Sequence, residues 1–163
     1  MTDDVRECLE ILDKAVEFEE TGMSIYLEHS EKASSQLERN LFRSLAEDEK
    51  QHKAYLLGIK AELLENNNPD DMQPRTEADS LSARQVFESA LENASDPYQA
   101  EASELEIIQG AMDVERKGFV MYSNAVETVQ SERARDIFQH LAEEEQRHYS
   151  LLKNTYDYLA DPE

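Results

Sequence analysis

The sequence predicts an all-α protein, an antiparallel four-helix bundle built from two helix hairpins, and three observations carry that prediction. Helix breakers are scarce: the 163 residues contain four glycines and four prolines, and Pro69, Pro74 and Pro97 fall in one stretch. The rest is rich in Glu, Ala, Leu, Lys, Gln and Arg, whose side chains lose little rotamer freedom in a helix. Apolar residues recur at three-to-four spacing, the mark of a helix with one buried face. Finally, the chain matches itself at an offset of 96 residues, the step that carries Glu19 onto Glu115. Ala15 to Tyr26 falls on Ala111 to Tyr122, keeping Glu19/Glu115, Gly22/Gly118 and Tyr26/Tyr122, and Leu41 to His52 falls on Ile137 to His148 without a gap. Neither hairpin can bury its apolar face alone, and packing the two together solves this for both.

The first helix is expected from about Asp4 to Lys32, with Ile11/Leu12, Ala15/Val16, Met23 and Tyr26/Leu27 on its inner face. The second runs from about Ser35 to Asn66 along Leu37, Leu41, Leu45, Leu56 and Leu63. Asn66 to Pro74 is turn chemistry, because Asn and Asp bond their own backbone and Pro stops a helix. Ser80 or Ser82 then caps a short helix to about Asn93. Ser95-Asp-Pro97 starts the third long helix, which reaches about Thr128, and the last runs from near Ser131 to about Leu159. The length suits one domain, 1–163, with repeat 1 over about 5–65, a long crossover over about 66–97 and repeat 2 over about 98–159.

Composition limits function. With 37 acidic and 16 basic side chains the formal charge is −21. Nucleic-acid binders and anionic membrane surfaces call for the opposite sign, so neither is an expected partner. Cys8 is the one cysteine, too few for a disulfide, a thiolate zinc site or a four-cysteine iron site within this sequence. The start, Met-Thr-Asp-Asp-Val-Arg-Glu, lacks the basic residues and apolar core of a signal peptide, and a cytoplasmic location is expected.

Each repeat carries Glu-x-x-His, as Glu49/His52 and Glu145/His148. Residues three apart share a helix face, so carboxylate and imidazole converge. In so glutamate-rich a chain one such pair is weak evidence, but two at matched positions are not. The face matters more than the spacing. Phe42, Leu45, Glu49, His52 and Leu56 form one stripe, and Phe138, Leu141, Glu145, His148 and Leu152 form its copy. Leu12, Val16, Glu19, Met23, Tyr26 and Ile108, Met112, Glu115, Phe119, Tyr122 make the same pattern on the preceding helices. Four carboxylates and two imidazoles are thus expected inside one bundle. Four buried like charges would be strongly destabilising, and two divalent cations cancel them while neutral imidazoles leave the balance untouched. Solvated glutamates and ordinary core histidines are the rival reading. Asp48 and Glu144 lie one residue off the ligand face and are expected to be solvated, His140 is expected at the surface, and His29 at a bundle-end contact.

At these residues the sequence resembles the ferritin-like di-iron carboxylate proteins, and among them the rubrerythrin type. The resemblance implies that Glu19 and His52 serve one iron, Glu115 and His148 the other, and that Glu49 and Glu145 bridge them; manganese or zinc also suits such ligands. It implies that Tyr26 and Tyr122 hydrogen-bond ligand carboxylates, for which core packing is the alternative. Catalysis by these eight residues would be peroxide or dioxygen reduction by a homodimer. The 163 residues lack the cysteines of the family's frequent rubredoxin domain, so electrons would come from an external electron-transfer protein. The family often has one more glutamate on its third helix, and here the neighbouring positions are Ala111, Met112 and Gly118. The remaining six-ligand set also resembles ferroxidase centres, which makes iron handling the second expectation; a metal-free helical interaction protein is the third. Gly22 and Gly118 cost helix stability, and either room for a small oxidant or close helix packing would explain their repetition.

Overall fold

A computed structural model describes residues 1–74 and 101–161. Four long helices carry the described fold: α1 (Asp3–Lys32), α2 (Gln36–Asn66), α3 (Ala102–Thr128) and α4 (Glu132–Ala160), with a short 3-10 turn at Pro69–Asp71. No strand occurs among the described residues. The expected short helix from Ser80 or Ser82, the Ser95-Asp-Pro97 start and most of the crossover lie outside the described residues. α3 begins at Ala102, later than that start signal, because Glu101 caps it by a reciprocal bond with Glu104.

Local chemistry sets the other boundaries where the sequence places them. Ser35 and Ser131, equivalent in the two repeats, each accept a backbone N–H three residues on, from Glu38 and Ala134, and so start α2 and α4. Equivalent arginines close the two hairpin loops: Arg39 donates to the Ala33 carbonyl at 2.9 Å and Arg135 to that of Val129 at 3.2 Å. α2 ends at Asn67, whose φ of 53° lies in the left-handed region that Asn tolerates, and its N–H reaches the Leu63 carbonyl. Short links make α1–α2 and α3–α4 antiparallel hairpins, which meet along α1 and α3.

The buried line of α1 is Val5, Cys8, Leu12, Ala15, Glu19, Gly22 and Tyr26, and that of α3 is Ile108, Ala111, Glu115, Gly118, Tyr122 and Ala125. Spacing that alternates three and four is that of helices crossing at a shallow angle. It corrects the expected stripe. Gly22, Ala111 and Gly118 join the expected Ala15 at the inner positions, while Val16, Met23, Met112 and Phe119 stand at the flanks and Leu27 is exposed. Small residues win there because they let the helices approach closely. Apolar packing fills both ends: Leu12, Leu56, Leu63 and Phe138 on one side, Phe42, Leu45, Ile108 and Leu152 on the other. Tyr26 stacks on Phe42 and Tyr122 on Phe138, at 6.0 and 6.4 Å, so the repeat extends to the core. Between these two apolar regions lies a polar layer. No helix of the described residues is long and apolar enough to cross a membrane.

Candidate metal centre

The polar layer contains all six residues singled out by the repeat: Glu19, Glu49, His52, Glu115, Glu145 and His148 are each at most 3% exposed. They form two overlapping groups. Glu19, Glu49, His52 and Glu145 offer atoms within 4.8 Å of one another, and so do Glu49, Glu115, Glu145 and His148. Glu49 and Glu145 belong to both. The two imidazoles face each other nearly in parallel with ring centres 5.7 Å apart.

Orientation is as telling as proximity. His52 Nδ1 lies 3.4 Å from Glu19 and 3.6 Å from Glu145, and His148 Nδ1 lies 3.1 Å from Glu49 and 3.4 Å from Glu115. None of these contacts is aligned as a hydrogen bond. Glu19 Oε2, Glu115 Oε2, both oxygens of Glu49 and of Glu145, and the Nδ1 atoms of His52 and His148 are buried without a hydrogen-bond partner. So many orphaned polar atoms at one spot would each cost of order 1–3 kcal/mol, and more where charged. Lone pairs aimed at a common space are what a pair of hard divalent cations requires, and oxygen with imidazole nitrogen is a donor set that iron, manganese and zinc accept. The residues therefore fit a two-metal site.

The remaining oxygens of Glu19 and Glu115 are tied from outside. Tyr26 donates to Glu115 Oε1, and Tyr122 donates to Glu19 Oε1 at 2.5 Å. The pairing is crossed: each repeat's tyrosine holds the other repeat's glutamate. Packing and hydrogen bonding, weighed as alternatives for these tyrosines, are both realised. The outer nitrogens of the histidines are also crossed between repeats. His148 Nε2 is 3.0 Å from Asp48 Oδ2, and His52 Nε2 is 3.7 Å from Glu144 Oε2.

Asp48 and Glu144 thus overturn the expectation of solvated charges, being 5% and 6% exposed. A helical wheel places them one step off the ligand face, but that step aims them at the histidine of the facing helix. Their equivalence in the repeat was the signal that could have found them. His140, expected at the surface, is only partly exposed and lies 3.4 Å from Glu144. His29 sits edge-on against Phe42. The repeated glycines divide between the two explanations. A Cβ at Gly118 would stand 2.8 Å from the Phe18 ring, so close packing requires this glycine. At Gly22 it would meet Glu49 at 3.6 Å, an ordinary contact, and the missing side chain leaves space beside that carboxylate.

Protons compensate the buried charge when no cation does. Burial lifts Glu49 and Glu145 well above the usual carboxylate range, and the neighbouring glutamates push the same way. Burial opposes charge on His52, yet the carboxylates, Glu19 foremost, outweigh it and push the imidazole up to about 10. His148 is raised in the same way, burial being overcome chiefly by Glu115. Glu19, which burial would raise, is held down to about 2 chiefly by His52, and His148 lowers Glu115 against the same burial. Two neutral carboxyls and two imidazolium–carboxylate pairs result. Two divalent cations would release these protons and supply the same compensation.

The rubrerythrin family model matches residues 10–156, which takes in both repeats and all six buried residues. No curated protein and no solved structure matches the chain.

Proposed function

The chain belongs to the rubrerythrin family, and from that premise we propose that it is a di-iron oxidoreductase reducing peroxide or dioxygen with electrons from a separate donor protein. The observation that supports this most is the pair of overlapping groups joined by Glu49 and Glu145. Glu19 and His52 would hold one ion, Glu115 and His148 the other, and the shared carboxylates would bridge them. An iron pair supplies Lewis acidity and two electrons.

The protein's own residues do the rest. Tyr26 and Tyr122 fix one oxygen of each terminal glutamate and leave the other oxygen free to coordinate. Asp48 orients the His148 ring so that Nδ1 points inward. Apolar packing on both sides keeps bulk water from the polar layer, which strengthens every electrostatic interaction within it. Gly22 leaves room for no more than a methyl-sized group in ordinary contact with Glu49. Cys8 is buried and alone in the 163 residues, so these residues do not themselves form a thiolate iron centre for electron delivery.

A second reading, oxidation and storage of iron as the substrate, is favoured by one observation: Ala111 and Gly118 occupy the buried positions on either side of Glu115, where a further carboxylate would serve peroxide reduction. Anaerobic loading with Fe2+ followed by peroxide or dioxygen, watched in the near-ultraviolet, tests both. Oxidation that stops at about two irons per chain and is reversed by a reductant supports the oxidoreductase, working as a homodimer. Continued uptake of ferric iron into a large hollow shell supports the second reading. No change in absorption would sink both.

A further inference from the structure

The two metal positions are built from a repeat, yet their surroundings are not equivalent. His148 Nε2 has Asp48 at 3.0 Å, a hydrogen bond. His52 Nε2 has Glu144 at 3.7 Å, beyond hydrogen-bond reach. The reason lies on the outer side of Glu144. Its Oε1 is 3.0 Å from Arg147 Nη1 and 3.4 Å from His140 Nε2. The Arg147 contact is a hydrogen-bonded ion pair that holds Oε1 and limits how far Oε2 reaches toward His52, with His140 packed beside it. Repeat 1 has Gln51 where repeat 2 has Arg147, and Ser44 where it has His140, both uncharged side chains. Three differences at equivalent positions, Asp48/Glu144, Ser44/His140 and Gln51/Arg147, thus converge on one histidine.

A carboxylate bonded to the outer nitrogen of a metal-bound histidine fixes the ring and raises its basicity; losing such a partner typically lowers metal affinity about 10–100-fold. We infer that the two positions differ in affinity: the Glu115/His148 position fills first and holds its ion, and the Glu19/His52 position fills second and exchanges. Arg147 and His140 are then positioning residues that weaken the second position by holding Glu144 off His52. This rests on the two-metal reading above and adds an order of filling to it.

Titration of the full-length protein with Co2+, a redox-inert stand-in, followed by calorimetry and visible absorption, tests the inference. Two binding steps separated by about tenfold or more are expected. His52→Ala should leave the tighter step in place, and His148→Ala should remove it. The double substitution Arg147→Gln with His140→Ser, which gives repeat 2 the residues of repeat 1, should strengthen the weaker step and leave the tighter one unchanged. General damage to the fold would weaken both, so the selective change separates positioning from structure. Two steps of equal affinity, or a double variant in which the gap does not narrow, would overturn the inference while leaving the two-metal reading intact. Absence of any Co2+ binding would instead overturn that reading.

Discussion

The half of the centre around His148 and the half around His52 share one blueprint and differ in finish. Both place a glutamate from the first helix of a hairpin and a Glu-x-x-His pair from the second in the same layer. Both take a tyrosine hydroxyl and an outer carboxylate from the other repeat. The His148 half is closely fitted, with Asp48 bonded to the ring and Phe18 packed on Gly118. The His52 half is looser, with Glu144 3.7 Å from the ring and tied to Arg147, and only ordinary contacts around Gly22. Duplication thus fixes which residues meet, and differences at equivalent positions set how tightly each half is held.

Removal of a shared carboxylate should erase the distinction altogether. Glu49→Ala or Glu145→Ala is expected to lose both ions, whereas His52→Ala should lose one, read as metal per chain by elemental analysis of purified protein.

Next in size is the dependence on pH, which should have opposite signs with and without metal. His52 is raised from 6.5 to about 10 in the fold, so its contribution is complete below 6.5 and fades as pH rises toward 10. Glu49 and Glu145, raised by burial, lose their contribution in the same direction above 4.5. Glu19 behaves oppositely: lowered from 4.5 to about 2, it contributes above 4.5 and stops doing so only as pH falls toward 2. Metal-free protein should therefore be less stable to urea at pH 8.5 than at pH 6. Metal binding should strengthen over the same interval, because it displaces protons from the ligands. The difference between loaded and chelated protein should widen with pH.

The crossed tyrosines should act alike. Tyr26→Phe and Tyr122→Phe each leave a buried carboxylate oxygen unpaired and should each cost about 1–3 kcal/mol in urea unfolding. Unequal losses would show that the asymmetry reaches the tyrosines as well. The smallest effect is the clearest contrast between halves. Gly118→Ala presses a methyl into the Phe18 ring, and overpacking of this kind costs about 1–3 kcal/mol, offset by up to about 1 kcal/mol of helix propensity. Gly22→Ala meets only ordinary contacts and should be neutral or stabilise the metal-free protein by up to about 1 kcal/mol.

Helices and the residues of the polar layer were legible in the sequence because both depend on periodicity, and the repeat supplied the register twice. Ser35 and Ser131 announced the starts of α2 and α4 through local capping chemistry. Relations between helices were not legible. The exchange of tyrosines between repeats, Tyr26 to Glu115 and Tyr122 to Glu19, depends on the spacing of α1 and α3. Small inner residues were harder to place for the same reason: apolar patterning leaves Ala15 and Val16 side by side and favours Met23, while close approach selects Ala15 and Gly22. Asp48 and Glu144 were misread because a wheel treats a helix as if nothing faced it.

Anomalous diffraction from crystals of the full chain soaked in Mn2+ tests the central claim most directly. Two peaks are expected within the polar layer, one beside Glu19 and His52, the other beside Glu115 and His148, with Glu49 and Glu145 between them. A layer free of anomalous density in crystals that take up Mn2+ elsewhere would contradict it.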